Sequence, residues 1–322
     1  MLVFNDTRYG DFWWIELTGL TENHQYVFQY FIDGAIRIAD PYSEQISDSE
    51  DTQISTAVYP NMPAFPADKF IGVSSLEKRA SVLQTGRANY QWEVTSFVAP
   101  ARNELNIYEL HFRDFTEEGT YLAAINRLDY LKNLGINAIH VLPVSEFEGN
   151  SSWGYNPNYY FAADKAYGNR VHLKKFVDEA HKRGIAVFND LVLNHAFGSN
   201  PMVLMYWDEV NNPWFNAEHK AVYSTDGHWG NDWNHESEHT QAFVDRVLKY
   251  WLEEYKFDGF RFDFTKGITQ TAQNPSDEWA SNVDLDRQGL LKRMVDEMWS
   301  FKSSSIAIFE HLANLLELSS EQ

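Results

Sequence analysis

The stretch Gly259-Phe-Arg-Phe-Asp-Phe-Thr-Lys-Gly267 decides how this chain is read. It predicts a β-strand over 257–264 that ends with Arg261 and Asp263 on one face, because side chains two apart on a strand point the same way. Downstream, Ile306-Ala-Ile-Phe-Glu-His311 repeats the pattern and ends in Glu310. Upstream, Ile185-Ala-Val-Phe-Asn-Asp190 is a third short apolar strand, followed by Leu191-Val-Leu-Asn194-His195. Three strands therefore deliver Asp190, Asp263 and Glu310 to strand ends.

Further out, the pattern alternates. Ile107–His111 and Ala138–Val144 read as strands, and apolar residues recur at helical spacing over Tyr121–Leu134, His172–Arg183, His239–Tyr255 and Asp286–Phe301. Gly135 and Gly184 stop the first two helices. Strands alternating with helices at this spacing imply parallel strands with right-handed crossovers. An eight-fold barrel and an open doubly wound sheet both fit. No Gly-rich phosphate turn follows the first strand, which weakens the dinucleotide-binding, dehydrogenase reading. Functional residues at several strand ends favour the barrel. The expected fold is α/β, a (β/α)8 TIM barrel over residues 104–322. It is incomplete, with about five β/α units where eight close a barrel, and has a long aromatic-rich loop excursion over 196–237.

Residues 1–60 alternate as strands at Phe12–Leu17, Gln25–Ile32 and Ala35–Ile38, with turns at Thr18-Gly19 and Asp33-Gly34. Asp40-Pro41-Tyr42 closes this block, which reads as a partial β-sandwich. Residues 61–103 contain Pro63, Pro66 and Pro100 with little regular periodicity, and read as an extended linker lying on a neighbour. The chain is thus expected to be a fragment, cut at both ends.

The formal charge of -20, from 26 basic and 46 acidic side chains, argues against nucleic acid as a partner. No run of about 18 apolar residues is present, so no membrane span is expected. No secretory signal is visible at an N-terminus that reads as truncated, and the compartment stays open. The absence of cysteine excludes disulfides and thiolate metal sites. Among the 11 Trp and 17 Tyr, those set among Gly, Asn and Asp are suited to stacking on sugar rings.

Arg261 beside Asp263 is expected to lower that carboxyl's pKa and keep it anionic, as a nucleophile requires. Glu310, at the edge of an apolar strand, is expected to hold a proton for general acid work. Carboxyls about 5–5.5 Å apart would give glycoside hydrolysis with retention. Each residue has a structural explanation when taken alone: an ion pair for Arg261 and Asp263, a loop cap for Asp190, a turn for Asn194. Their joint placement at consecutive strand ends favours a site.

These segments resemble the α-amylase family of glycoside hydrolases. Asp190-Leu-Val-Leu-Asn-His195 resembles the family's first motif, Gly259–Gly267 its second and Phe309-Glu-His311 its third. Trp153-Gly-Tyr-Asn-Pro157 resembles its aromatic platform, and the 10–60 block the end of the starch-binding sandwich of branching and debranching relatives. The resemblance implies Asp263 as nucleophile and Glu310 as acid/base. Arg261 would hold Asp263, and His195 would hydrogen-bond the sugar. Tyr155 would stack on that sugar, Asp190 would support the rim, and Lys266 would touch a glucose on the leaving side. Asn194 matches a position that often binds structural Ca2+, but Gly267 stands where calcium-dependent amylases commonly carry histidine. The family's fourth motif, a His-Asp pair after a later strand, is absent, so the 322-residue chain alone is expected to turn over little.

The expectation is a retaining α-glucan hydrolase of α-amylase type. An α-glucan branching or debranching enzyme is the alternative within the family. A non-catalytic glucan-binding protein is the alternative outside it.

Overall fold

Five short strands lie side by side in chain order: Ile107–Leu110, Ala138–Val141, Ala186–Leu191, Gly259–Phe262 and Ile306–Phe309. Every neighbouring pair is parallel. A doubly wound sheet reverses its strand order at a switch point; this sheet does not, and is consistent with part of a barrel. The computed structural model describes residues 2–6, 10–206, 208–221, 229–272, 280 and 282–311. Parts of the expected 196–237 excursion (207 and 222–228) and the end of the expected 104–322 unit lie outside the described residues.

Alternate residues separate two environments, as the period of a strand requires. Ile139, Val141, Val187, Leu191, Phe260 and Phe262 join the main core against the helices. Ala138, Ala186, Phe188 and Ile306 line the other face, where Phe97, Ala99 and Leu105 pack. The covering helices are Arg170–Lys182, Glu238–Glu254 and Leu285–Phe301. The first buries Leu173, Phe176, Val177 and Ala180, one apolar stripe, and starts on Asn169 in a reciprocal cap with His172.

The segment expected as one helix over 121–134 is two, Tyr121–Ile125 and Leu128–Asn133. The larger difference is in the expected 61–103 linker, which contains the strand Arg79–Gln84. This strand is the centre of an antiparallel sheet, between Gln25–Phe28 and Ile46–Asp48. The N-terminal block therefore runs past Asp40-Pro41-Tyr42 and takes its middle strand from beyond residue 60. Beyond that strand the chain does lie extended on its neighbour. Asp178, fully buried on its helix, accepts hydrogen bonds from the Glu93 and Val94 amides and from the Tyr90 hydroxyl.

Gly259 fixes how closely the fourth and fifth strands approach. Its φ is +151°, and a β-carbon there would lie 1.9 Å from the Ile306 carbonyl oxygen. No side chain can yield to relieve a clash with backbone. Gly259→Ala is expected to lower stability by about 3 kcal/mol or more, read as a shift in the urea unfolding midpoint. A midpoint within experimental error of wild type would refute this account of the strand pair.

Candidate active site

Strand register builds the site. Asp190 lies beside Arg261, and Arg261 beside Ile308. The parallel ladder continues beyond the strand ends: the Asp263 amide donates to the Leu191 carbonyl, and the Glu310 amide to the Phe262 carbonyl, each at 3.0 Å. Asp263 lies two residues past Arg261 and Glu310 two past Ile308, so both rise above the guanidinium on its own face.

Arg261 holds all three carboxylates. Its Nη1 donates to both oxygens of Asp190 at 2.9 Å and to Oδ1 of Asp263 at 2.8 Å. Its Nη2 pairs with Oε2 of Glu310 at 2.8 Å. Depth differs sharply: side-chain exposure is 0% for Asp190, 13% for Asp263 and 35% for Glu310. Asp190 is the floor, and also accepts from the Tyr155 hydroxyl at 3.1 Å. His140, on the second strand, sets Nε2 3.0 Å from Asp190 and Nδ1 3.4 Å from Glu109. Asn194 donates its amide to the Asp263 carboxylate at 2.9 Å.

Three carboxylates face one guanidinium, and burial sharpens the imbalance. Burial opposes the charge on Arg261, but Asp190 and Asp263 outweigh it and hold its pKa above the usual value. Burial first, then the charge of Asp190, push the Asp263 carboxyl up to about 7, while Arg261 and Asn194 pull it back. This corrects the expectation that Arg261 would lower the Asp263 pKa, since burial and the charge of Asp190 outweigh the guanidinium. The exposure gradient also runs against the expected pairing: Asp263 is the more deeply buried carboxyl, and Glu310 receives two donors, Arg261 and the Phe264 amide.

Two residues expected to contact sugar, Lys266 and His195, are buried here. Lys266 is fully buried in the turn Thr265–Ile268, so its ammonium offers no surface to a ligand. His195 is 3% exposed, and its ring nitrogens face the Tyr155 carbonyl, at 2.9 Å, and Oδ1 of Asn194. Burial pulls its pKa down to about 4, so the ring is neutral near pH 7. Tyr155 is half-buried, with its ring centre 5.9 Å from the guanidinium carbon. Asn194 does not suit the expected calcium: its oxygen faces His195, its amide is spent on Asp263, and no cluster of three metal-ligating side chains occurs among the described residues. Sequence reasoning missed His140, although a histidine inside the apolar run Ala138-Ile-His-Val141 was a visible signal. From the excursion, Trp229 reaches the rim, 45% exposed, with its ring 6.4 Å from His195 and 5.7 Å from Phe264.

Acidic side chains thus gather at the C-terminal ends of adjacent parallel strands, the face where barrel enzymes place their functional residues. Residues 95–202 match the model of the Alpha-amylase family, described as Alpha amylase, catalytic domain. Malto-oligosyltrehalose trehalohydrolase of Saccharolobus solfataricus is 36% identical over 184 residues, covering 56% of this chain and 31% of that protein. Isoamylase 1, chloroplastic, of Oryza sativa subsp. japonica is 27% identical over 327 residues, covering 88% of this chain and 38% of that protein. The Group B Streptococcus pullulanase SAP superposes with a TM-score of 0.60 at 21% identity, over 89% of this chain and 37% of that one, a likeness of fold. Over residues 95–202 the chain carries the catalytic-domain signature of the α-amylase family of glycoside hydrolases. It spans about a third of the length of the curated relatives it matches.

The raised Asp263 value has a consequence for stability. A folded pKa of about 7 against roughly 4 for an unfolded aspartate means that the folded state binds the extra proton. The stabilisation is complete below about pH 4 and is lost as pH rises through about 7. Asp263→Asn removes this titration. Its stability relative to wild type, from urea unfolding at pH 4 to 8, should climb across that window, and a flat difference would contradict it.

Proposed function

We propose that this chain carries the nucleophile and acid/base of a retaining α-glucan glycosidase. Asp263 attacks the anomeric carbon as Glu310 protonates the departing glycosidic oxygen. Water then enters with Glu310 as base. The observation that carries this reading is the shared guanidinium: Arg261 bonds Asp263 and Glu310 through different nitrogens, so both carboxyls face one small space at the rim. Asp190 orients Arg261 from beneath, and Tyr155 and Trp229 supply rings for the apolar face of a glucose. The nucleophile works as an anion, so Asp263 must be deprotonated when substrate is bound.

The relatives' names, trehalohydrolase, isoamylase and pullulanase, support hydrolysis of an α-glucan over branching. Substrate choice within that class lies in loop shape, here the stretch around Trp229–His235. Product analysis on amylose and pullulan separates the activities: new reducing ends on either polymer indicate hydrolysis, and chain transfer without new reducing ends indicates branching.

In the protein that carries this chain, Glu310→Gln is expected to lower kcat on a maltooligosaccharide by about 10²–10⁴-fold. Asp263→Ala should abolish the glycosyl-enzyme adduct that a fluorinated glycosyl fluoride leaves in the intact mass spectrum. Glucan binding unchanged by both substitutions, with no turnover by the wild-type protein, would instead identify a binding module.

A further inference from the structure

Phe264, directly after Asp263, has φ 34° and ψ 62°, in the left-handed region. Bulky side chains are rarely held there, and such a conformation persists only where its surroundings over-determine it. Of the other five described non-glycine residues with positive φ, three are Asn or Asp, types that tolerate the region. Phe264 is the only aromatic of the six.

The twist turns the chain out of the fourth strand and aims successive donors at one residue. The Phe264 amide donates to Oε2 of Glu310 at 2.8 Å. The Thr265 amide and hydroxyl donate to the Glu310 carbonyl at 3.0 and 2.9 Å. Because Arg261 also reaches Oε2, that oxygen receives two donors, and none of the hydrogen bonds among the described residues reaches Oε1. The Phe264 ring anchors the twist. It is 4% exposed, packed with Ala221 and Ala280, and meets the Trp229 ring edge-on at 5.7 Å.

We propose that Phe264 is the positioning residue for Glu310, and that Oε1 is the oxygen that transfers the proton. This rests on reading Glu310 as the acid/base. In the first step the O–H bond at Oε1 breaks and its proton passes to the glycosidic oxygen. The bond from C1 to that oxygen breaks with its electron pair leaving on the oxygen, and an Asp263 oxygen bonds to C1. Glu310 is left as a carboxylate whose new charge is met at Oε2 by the Phe264 amide and Arg261, donors already in place before reaction. In the second step Oε1 takes a proton from water as the water oxygen replaces Asp263 at C1.

The test compares a maltooligosaccharide, whose leaving sugar needs protonation, with α-maltosyl fluoride, whose leaving fluoride needs little. Phe264→Val places a β-branched side chain where the left-handed twist is most resisted. It is expected to lower kcat/KM on the oligosaccharide, which reports the first step, by about tenfold or more, with kcat/KM on the fluoride kept within about twofold; the second step, common to both substrates, does not enter this ratio. Phe264→Asn, which tolerates the twist, should keep the wild-type ratio of the two rates. Equal loss on both substrates, or loss on neither, would overturn the positioning role while leaving the glycosidase reading intact. A wild-type protein that turns over neither substrate overturns both. If Phe264→Val fails to fold, Phe264→Ala carries the same comparison.

Discussion

A single guanidinium shared among three carboxylates is the constraint on which this structure depends. Arg261 can reach Asp190, Asp263 and Glu310 together only if the third, fourth and fifth strands are parallel, adjacent and in the observed register. A slip of one residue would turn Arg261 toward the helices, with Phe260 and Phe262 exchanged onto the carboxylate face. The close approach secured at Gly259, two residues before Arg261 on the same face, serves the same end. Backbone spacing and side-chain chemistry are thus one specification, written in Gly259-Phe-Arg-Phe-Asp263.

The cluster carries more acid than base, and the excess is suited to its chemistry. Removing one partner from a buried ion pair is costly because the remaining charge loses its compensation. Here the imbalance is built in, and it adds to burial, the larger cause, in raising the Asp263 pKa. In the proposed reaction, a glycosyl centre that gains positive character in an oxocarbenium-like transition state would supply the missing charge. Groups fixed beforehand by Arg261, Asn194 and Asp190 then need little reorganisation.

Local pattern made the parallel sheet legible. The fifth strand spans the apolar residues read from sequence, and the three long helices begin and end within two residues of their apolar periods. What stayed hidden is non-local. Arg79–Gln84 pairs with Gln25–Phe28 across more than fifty residues, and nothing near residue 80 marks it as the centre of a sheet. Motif reading brought Asp190, Arg261, Asp263 and Glu310 together correctly as neighbours, because register follows from strand pattern. It did not show that Lys266 and His195 are buried, because position along a strand does not disclose depth below the rim. The raised Asp263 pKa escaped for the same reason: burial is its largest cause and the charge of Asp190 adds to it, and neither is visible to a pairwise rule of aspartate beside arginine. The backbone twist at Phe264 has no signature in residue type at all, since phenylalanine is a poor choice for that conformation.

The N-terminal block also bears on the site, through buried charge. Asp48 pairs with Arg79 within the block at 2.9 Å. Asp51 reaches across to Lys165 at 3.3 Å, and Lys165 also binds Glu146. Glu146 lies on the hairpin Ser145–Phe147 and Pro157–Ala163, whose loop carries Tyr155. Burial raises the Glu146 pKa to about 7 even with Lys165 attached, so this network is intolerant of losing a member. The block therefore braces, from behind, the hairpin that brings the Tyr155 hydroxyl to Asp190.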